Sequence, residues 1–316
     1  MNVTAVVEFF RARPRLIKAI QFALLAITVG FCAWAVRDQW SKARPLLENV
    51  DAAYLTLAFV IVGVYYLVFI LGWIRILEAW GIPVGYRPAL QAEMVSMLAK
   101  YLPGALWTPA ARTIALRRYA GVTETATVLA SILVEAGLSA ISGVIVFVVS
   151  LAWVRDVNAP LPALIAFALL LTALLHPRVF RPLANKLLKP FGAGSIEPLP
   201  FPFMLGLLAF YCGTWLIGGF AVYFMLRSVG AEVGLATIPY LGGVSAVGAI
   251  VSVLAFFAPS GIGAREASMY GLLLAVTTTG PALSVTLLNR LAITLVEVLL
   301  FFAGLVGWRI TRSRRA

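Results

Sequence analysis

Apolar runs long enough, or nearly long enough, to cross a bilayer dominate this chain. A helix needs about 20 apolar residues to span the hydrocarbon core. Six runs approach or exceed that length, at residues 16–36, 54–76, 126–152, 161–176, 203–226 and 283–308. Because 62% of the 316 residues are hydrophobic and 12% are charged, the chain lacks the polar surface of a soluble domain this large. The sequence predicts a single all-α, polytopic membrane domain over residues 1–316.

Two further apolar regions, 88–107 and 239–276, are interrupted by helix-breaking residues. The first contains Pro103 and Gly104, and the second contains Pro259 in the segment "PSGIG". In hydrocarbon an unpaired backbone group is costly, so a broken helix survives only where protein or a water-filled cavity surrounds it. We predict six full spans plus two re-entrant helical hairpins that line a polar cavity. If both arms of the second hairpin cross fully, the count becomes eight spans.

The formal charge of +12 is distributed unevenly between the two sides of this arrangement. With both hairpins re-entrant, one side collects 17 of the 25 lysines and arginines, the other side holds 5, and 3 stay within the membrane. Basic residues favour the cytoplasmic side, so both termini are predicted to be cytoplasmic. The basic segment 178–189 is expected to be a loop that helps to fix this orientation, and nucleic acid is not an expected partner.

Three pairs of similar segments indicate an internal repeat. In chain order they are "WGIPVG" (80–85) with "VGAEVG" (229–234), "LAKYLPGA" (98–105) with "LAFFAPSG" (254–261), and "LVEAGLSAISG" (133–143) with "LVEVLLFFAGL" (295–305). The repeat units are predicted at 54–152 and 203–308, with 16–36 and 161–176 as extra spans. Because one span separates the units, the second unit is predicted to be inverted, as in transporters whose halves rock about a central site.

Four segments carry a resemblance to a known family: "KYLPGALWTPAARTIALRRYAGVT", "ILVEAGLSA", "FFAPSGIGAREASMYGLLL" and "NRLAITLVE". They resemble the transmembrane domain of lysylphosphatidylglycerol synthase/flippase proteins and their stand-alone flippase-like relatives, over roughly residues 10–308. The most specific part is the signature Pro259, Gly261, Gly263, Arg265 and Glu266. The resemblance implies a lipid translocase of the bacterial cytoplasmic (inner) membrane.

This sequence departs from the best-known members because it shows no soluble acyltransferase-like domain. The activity that makes aminoacyl lipid is therefore not expected here. The expected cargo is an anionic phospholipid or a polyprenyl phosphate.

Four basic residues within apolar sequence are candidates for binding a phosphate head group: Lys100, Arg112, Arg265 and Arg290. A charged residue at mid-helix costs about 2.5–3.5 kcal/mol on insertion scales, so such residues are functional candidates by default. Helix starts after Pro103 and Pro259 would add the N–H groups of Gly104, Gly261 and Gly263. Alternatively, Arg112 anchors at the interface, Lys100 snorkels to the surface, and the remaining arginines form permanent ion pairs.

Two glutamates, Glu135 and Glu297, fall at matched positions of the repeat, deep within spans. Either is a candidate counter-ion for an arginine or a candidate proton carrier, the alternative being a static partner. Arg290 and Glu297 are seven residues apart and share a helix face. Glu93 and Glu266, beside the two hairpins, are weaker candidates for the same roles.

The sequence favours a lipid translocase over two other classes of function. One alternative is a membrane enzyme acting on lipid-phosphate substrates, and the other is an accessory subunit of a partner glycosyltransferase or synthase. His176 is the only histidine and no metal-ligand cluster or nucleophile motif is present, so no metal, cofactor or catalytic activity is expected.

Overall fold

The computed structural model describes residues 37, 50–101, 107–154, 161–188, 197–255 and 261–313. The predicted span 16–36 lies outside these residues, and so do the proposed break points Pro103, Gly104 and Pro259. Ten α-helices occur in the described part of the chain: α1 (Ala52–Ala79), α2 (Tyr86–Ser96), α3 (Trp107–Ala120), α4 (Thr125–Ser150), α5 (Leu161–Leu175), α6 (Pro177–Leu188), α7 (Phe201–Ser228), α8 (Ile238–Leu254), α9 (Ala264–Leu273) and α10 (Thr279–Ser313).

The all-helical membrane architecture predicted from the apolar runs is confirmed. Five of the described helices are long and apolar enough to span a membrane, namely α1, α4, α7, α8 with its preceding turn, and α10. Together, α5 and α6 are also long and apolar enough to form a sixth, bent span. The protein is therefore a multi-pass membrane protein, while the number of full spans stays a prediction.

Helices α1 and α7 pack against each other in opposite directions. Both are 28 residues long and they begin 149 positions apart, at Ala52 and Phe201. Just before the start of α1, the Asp51 N–H donates to the carbonyl of Ser228 at the end of α7, at 2.9 Å. Farther along, the rings of Phe69 and Tyr211 lie 5.1 Å apart. The corresponding helices of the two proposed repeat units thus run antiparallel.

Each break is flanked in sequence by two helices that pack side by side, although α3 lies almost entirely after the predicted region 88–107. In the first, Ala89 and Ala92 of α2 share a buried cluster with Ala115 and Leu116 of α3. In the second, the hydroxyl of Tyr240 near the start of α8 donates to the carbonyl of Leu272 near the end of α9, at 2.7 Å. The start of each first arm therefore lies beside the end of the second, as in a hairpin.

The two proposed repeat units, residues 54–152 and 203–308, are called the two halves below. The segment between them differs from the span predicted at 161–176 and from the loop predicted at 178–189. Helix α5 has 15 residues, about 22 Å at 1.5 Å per residue, and the chain then bends by 74° into α6. The described part of the basic segment, residues 178–188, is thus helical rather than a loop. Its sequence alternates apolar and basic residues with a helical period, which stabilises a helix with one apolar face, and the sequence interpretation considered only its charge.

Glycine allows α7 and α8 to approach closely. A Cβ at Gly219 would overlap the backbone carbonyl oxygen of Ile238 and would lie 2.8 Å from the nitrogen of Gly242. At Gly213 on the same helix, a Cβ would meet no atom within 4 Å. The contact that places the second hairpin against α7 therefore depends on the missing side chain at Gly219.

We predict that Gly219→Ala lowers the melting temperature of the purified protein by about 3–10 °C, since the clash involves backbone that cannot move aside. Gly213→Ala is the matched control, and it is expected to be neutral or slightly stabilising because alanine favours helix. The measurement is thermal unfolding in detergent. Equal melting temperatures for the two variants would contradict the packing described here.

Candidate functional site

A cavity of about 170 Å³ lies between the two halves of the molecule. It receives side chains from α1, α7, α8 and α10 and one charged residue from each hairpin, Glu93 and Arg265. The full lining is Val62, Tyr65, Tyr66, Phe69, Glu93, Trp215, Gly218, Ala221, Ser245, Ala249, Arg265, Asn289 and Ile293. Both hairpins therefore reach one central, partly polar space.

Arg265 lies one residue into α9 and is half-buried. Among the described residues it forms no hydrogen bond and no ion pair, although it interacts electrostatically with Tyr65, Tyr66 and Lys100. Its stem packs against Gly248 of α8, where an added Cβ would lie 3.5 Å from the Arg265 Cγ. The stem is thus held while the guanidinium remains available to a ligand.

Glu93 belongs to a buried cluster with Arg112 and Glu135, which we call the first-half cluster. Arg112 Nη1 donates to Glu135 Oε2 at 2.5 Å, and Arg112 Nε lies 2.6 Å from Glu93 Oε2 without the alignment of a hydrogen bond. The guanidinium also lies 3.7 Å from the centre of the Trp73 ring. Arg112 is therefore an internal counter-ion and not the interfacial anchor of the alternative interpretation.

Lys100 and Glu297 connect the two halves. Lys100, at the end of the first hairpin's first arm, forms an ion pair with Glu297 of α10, and Tyr66 of α1 donates to the same carboxylate oxygen. The Glu297 side chain is 1% exposed and that of Lys100 is 29% exposed. We call this contact the inter-half ion pair, and its position indicates that Lys100 is held in the protein rather than reaching the membrane surface.

Glu266 occupies the N-terminus of α9. Its Oε2 accepts from the Gly263 N–H at 2.7 Å, and its Oε1 lies 3.4 Å from Arg290 Nη1. The positive φ angles of Gly261 (63°) and Gly263 (88°) allow the tight turn before this helix. Because the chain's own carboxylate caps the helix start, the backbone anion site expected at Gly263 is already occupied, and neither glycine lines the cavity.

The charges of the site balance, and the structure assigns the ion pairs that the sequence left open. Four cations, Lys100, Arg112, Arg265 and Arg290, accompany four carboxylates, Glu93, Glu135, Glu266 and Glu297. Of these eight groups only Arg265 and Glu93 line the cavity. Ion pairs hold three of the four predicted phosphate-binding cations, whereas Arg265 forms none within the described part of the chain.

Several cavity residues were not identified from the sequence. Tyr65, Tyr66, Trp215 and Asn289 line the cavity, and the Tyr65 hydroxyl forms no hydrogen bond within the described part of the chain. Adjacent tyrosines in the middle of a predicted span, and an asparagine beside Arg290, were available signals. In the described ranges no three His, Cys, Asp or Glu side chains come together as metal ligands would.

Comparison with protein families gives a match over most of the chain. The family model described as the lysylphosphatidylglycerol synthase TM region matches residues 20–300. The chain belongs to this family. No curated protein matches it. Both charged cavity residues of this member of the lysylphosphatidylglycerol synthase TM family fall inside the matched range, and membership supports a lipid-related role in the membrane.

We predict that Arg112→Met strongly destabilises the protein, because it leaves the Glu135 and Glu93 carboxylates buried without their cation. Breaking such a pair typically costs about 3–5 kcal/mol. The control Arg75→Met removes a pair whose side chains are 71% and 42% exposed, which contributes at most about 1 kcal/mol. Unfolding in detergent measures both, and a similar small loss in the two variants would contradict a structural role for Arg112.

A double-mutant cycle tests the inter-half ion pair. Lys100→Met and Glu297→Gln should each lower stability, and the double variant should be more stable than the sum of the two losses predicts, because it leaves no unpaired charge. Contacting charged residues typically show interaction energies of about 0.5–3 kcal/mol. Additive losses, again measured by unfolding in detergent, would show that the two side chains do not interact.

Proposed function

We propose that this protein is a lipid translocase that moves a phosphate-bearing lipid head group between leaflets through the central cavity. The observation that carries the proposal is Arg265. It is a cation without an ion pair among the described residues, in a cavity that both halves and both hairpins line. Such a charge is costly inside a membrane protein and marks a binding site for an anion.

The groups around Arg265 suit a phosphate. A guanidinium can donate two parallel hydrogen bonds to phosphate oxygens. The cavity lining adds the hydroxyls of Tyr65 and Ser245 and the amide of Asn289, all of which are donors. Together they would replace water around a head group as it passes through the membrane interior.

Glu93 restricts which head groups are accepted. Its carboxylate shares Arg112 with Glu135, so the first-half cluster has one more negative than positive charge. A head group that is anionic throughout would be repelled at this end of the cavity. We therefore expect the cargo to carry hydroxyl or ammonium donors in addition to its phosphate.

The size of the cavity indicates which part of the lipid it can hold. A volume of about 170 Å³ is similar to that of a protein cavity that holds one benzene molecule, about 150 Å³, and is too small for a whole phospholipid. The head group would occupy the cavity while the acyl chains stay in the bilayer.

We further propose that the two halves are inverted repeats and exchange access by rocking. Tyr65 contacts Trp215 and Phe69 contacts Tyr211. The contact on α7 therefore moves four residues towards its N-terminus as the contact on α1 moves four residues towards its C-terminus. At the offset of 149, Tyr65 corresponds to Thr214, the neighbour of its own contact Trp215. A two-fold axis would pass through this contact at the cavity wall.

In this scheme the two kinds of ion pair act differently. The first-half cluster lies within one half and would move as a unit, whereas the inter-half ion pair must separate when one half rocks against the other. Glu297 would then be exposed to the cavity as a counter-ion or proton carrier. We also propose that the protein lies in the bacterial cytoplasmic membrane with both termini in the cytoplasm. A synthase or glycosyltransferase is the proposed partner.

We predict that Arg265→Ala reduces lipid movement at least tenfold, because it removes the only unpaired cation of the described cavity lining. The measurement is loss of fluorescence from a head-group-labelled phospholipid in proteoliposomes after a membrane-impermeant quencher is added. Arg265→Lys should be intermediate, since lysine cannot bind two oxygens at once.

The exposed Arg75→Ala is the matched control and should transport at the wild-type rate. Unchanged transport by Arg265→Ala, with the protein correctly folded, would contradict the proposed site. Mass spectrometry of the recovered lipid separates transport from catalysis, because an altered lipid would favour the enzyme alternative.

A further inference from the structure

A second cavity, away from the central one, lies between α4, α5 and α6. It measures about 220 Å³ and is lined by Ala130, Leu133, Gly137, Leu171, Leu174, Leu175, Phe180, Leu183 and Ala184. Every lining residue is apolar or glycine. A cavity of this kind does not retain water and suits hydrocarbon.

Helix α6 closes this cavity and carries basic residues on its other face. Phe180 and Ala184 join α4 through a buried cluster with Ala126 and Ala130, and the Phe180 ring stacks on Trp80 at 6.3 Å. At 100° per residue, Arg178, Arg181 and Lys186 lie within about 140° of one another on the helix. All three are exposed.

The basic and apolar parts are adjacent along α6. Arg181 lies one turn before Ala184, and Lys186 lies one turn after Leu183, so each cation borders a residue that closes the cavity. Long basic side chains can extend around a helix and keep their charge at a polar surface. Arg181 and Lys186 thus flank the apolar face that closes the cavity, one on each side, and Arg178 lies on the opposite face, next to the 74° bend between α5 and α6.

We propose that this place is a binding site for an anionic glycerophospholipid, distinct from the transport cavity. One acyl chain occupies the cavity between α4, α5 and α6, and the phosphate lies against the flanking cations Arg181 and Lys186, while Arg178 adds positive charge on the far side of the helix. The charge complementarity identifies the occupant, because a neutral or zwitterionic lipid would gain little from these cations. The lipid would hold α6 against α4, next to the end of α1 at Trp80.

The site is accessible from the side of the protein that faces lipid. Leu133 at its edge is 57% exposed, and Leu183 of α6 is 39% exposed. Gly137 forms part of the wall, where an added Cβ would lie 3.3 Å from Leu175 Cδ1. The cavity volume thus depends on small residues of α4 and can be filled by substitution at its edge.

Native mass spectrometry of the full chain in detergent tests the proposal, with dioleoyl phosphatidic acid and dioleoyl phosphatidylcholine as probes. The wild type should bind one phosphatidic acid at least about tenfold more tightly than phosphatidylcholine, since each basic residue near the head group contributes. The triple variant Arg178→Gln, Arg181→Gln, Lys186→Gln should lose this preference. Leu133→Trp, which fills the edge of the cavity, should weaken binding of both lipids.

The control variant Arg75→Gln, Arg87→Gln, Arg117→Gln removes the same charge from other exposed positions and should bind like the wild type. Arg265→Gln should also keep the tight phosphatidic acid, which separates this site from the transport cavity. Thermal unfolding without lipid checks that the triple variant is folded.

Equal affinity for the two lipids, or unchanged preference in the triple variant, would overturn the proposal. Loss of the tight lipid in Arg265→Gln would place it in the central cavity and would also overturn it. A dimer that the triple variant dissociates would identify a second copy of the chain as the occupant instead. Because no transport is measured, the result does not depend on the proposed translocation.

Discussion

The cost of placing ionic groups in a membrane interior is the constraint on which the arrangement of this protein depends. Eight ionisable side chains, four basic and four acidic, lie on the hairpins and the helices that pack around them. Isolated, each would cost several kcal/mol. The fold places the hairpins against α4 and α10, so that Glu135 and Glu297 meet cations of the first hairpin and Arg290 of α10 meets Glu266 of the second.

The pairing differs between the halves, and this difference gives the ion pairs different roles. Arg112 is neutralised by two carboxylates of its own half, whereas Lys100 reaches Glu297 in the other half. The ion pairs of Arg112 stabilise the first half by itself. The ion pair between Lys100 and Glu297 stabilises the position of one half relative to the other. Arg265 is left without a carboxylate partner among the described residues. Under the proposed function, affinity for a head group at Arg265 and stability of the inter-half ion pair would depend on neighbouring groups.

Much of the fold could be predicted because the bilayer simplifies the problem. A run of about 20 apolar residues has few alternatives to a helix in hydrocarbon, so the runs at 54–76, 126–152, 203–226 and 283–308 correspond to α1, α4, α7 and α10. The region 239–276 was predicted as one interrupted hairpin, whereas α8 with its preceding turn is by itself long and apolar enough to span a membrane. Residues 178–188 were misinterpreted as part of a loop, because their helix is stabilised by an apolar face and not by continuous apolar sequence.

Only part of the candidate site could be predicted from the sequence. The sequence identified every charged residue now found near the centre, since a charge within apolar sequence is conspicuous. It did not identify which charges neutralise one another. That depends on side-chain distances across helices far apart in the chain, such as the 197 positions between Lys100 and Glu297.

The sequence by itself thus determined that this is a helical membrane protein with two interrupted regions and an unusual set of intramembrane charges, because hydropathy and helix breaking are local properties. Only the tertiary structure decided that three cations are held in ion pairs, that Glu266 caps its own helix, and that Arg265 and Glu93 share a cavity with Tyr65 and Trp215. Those outcomes depend on which surfaces the packed helices bring together, and local sequence does not specify that.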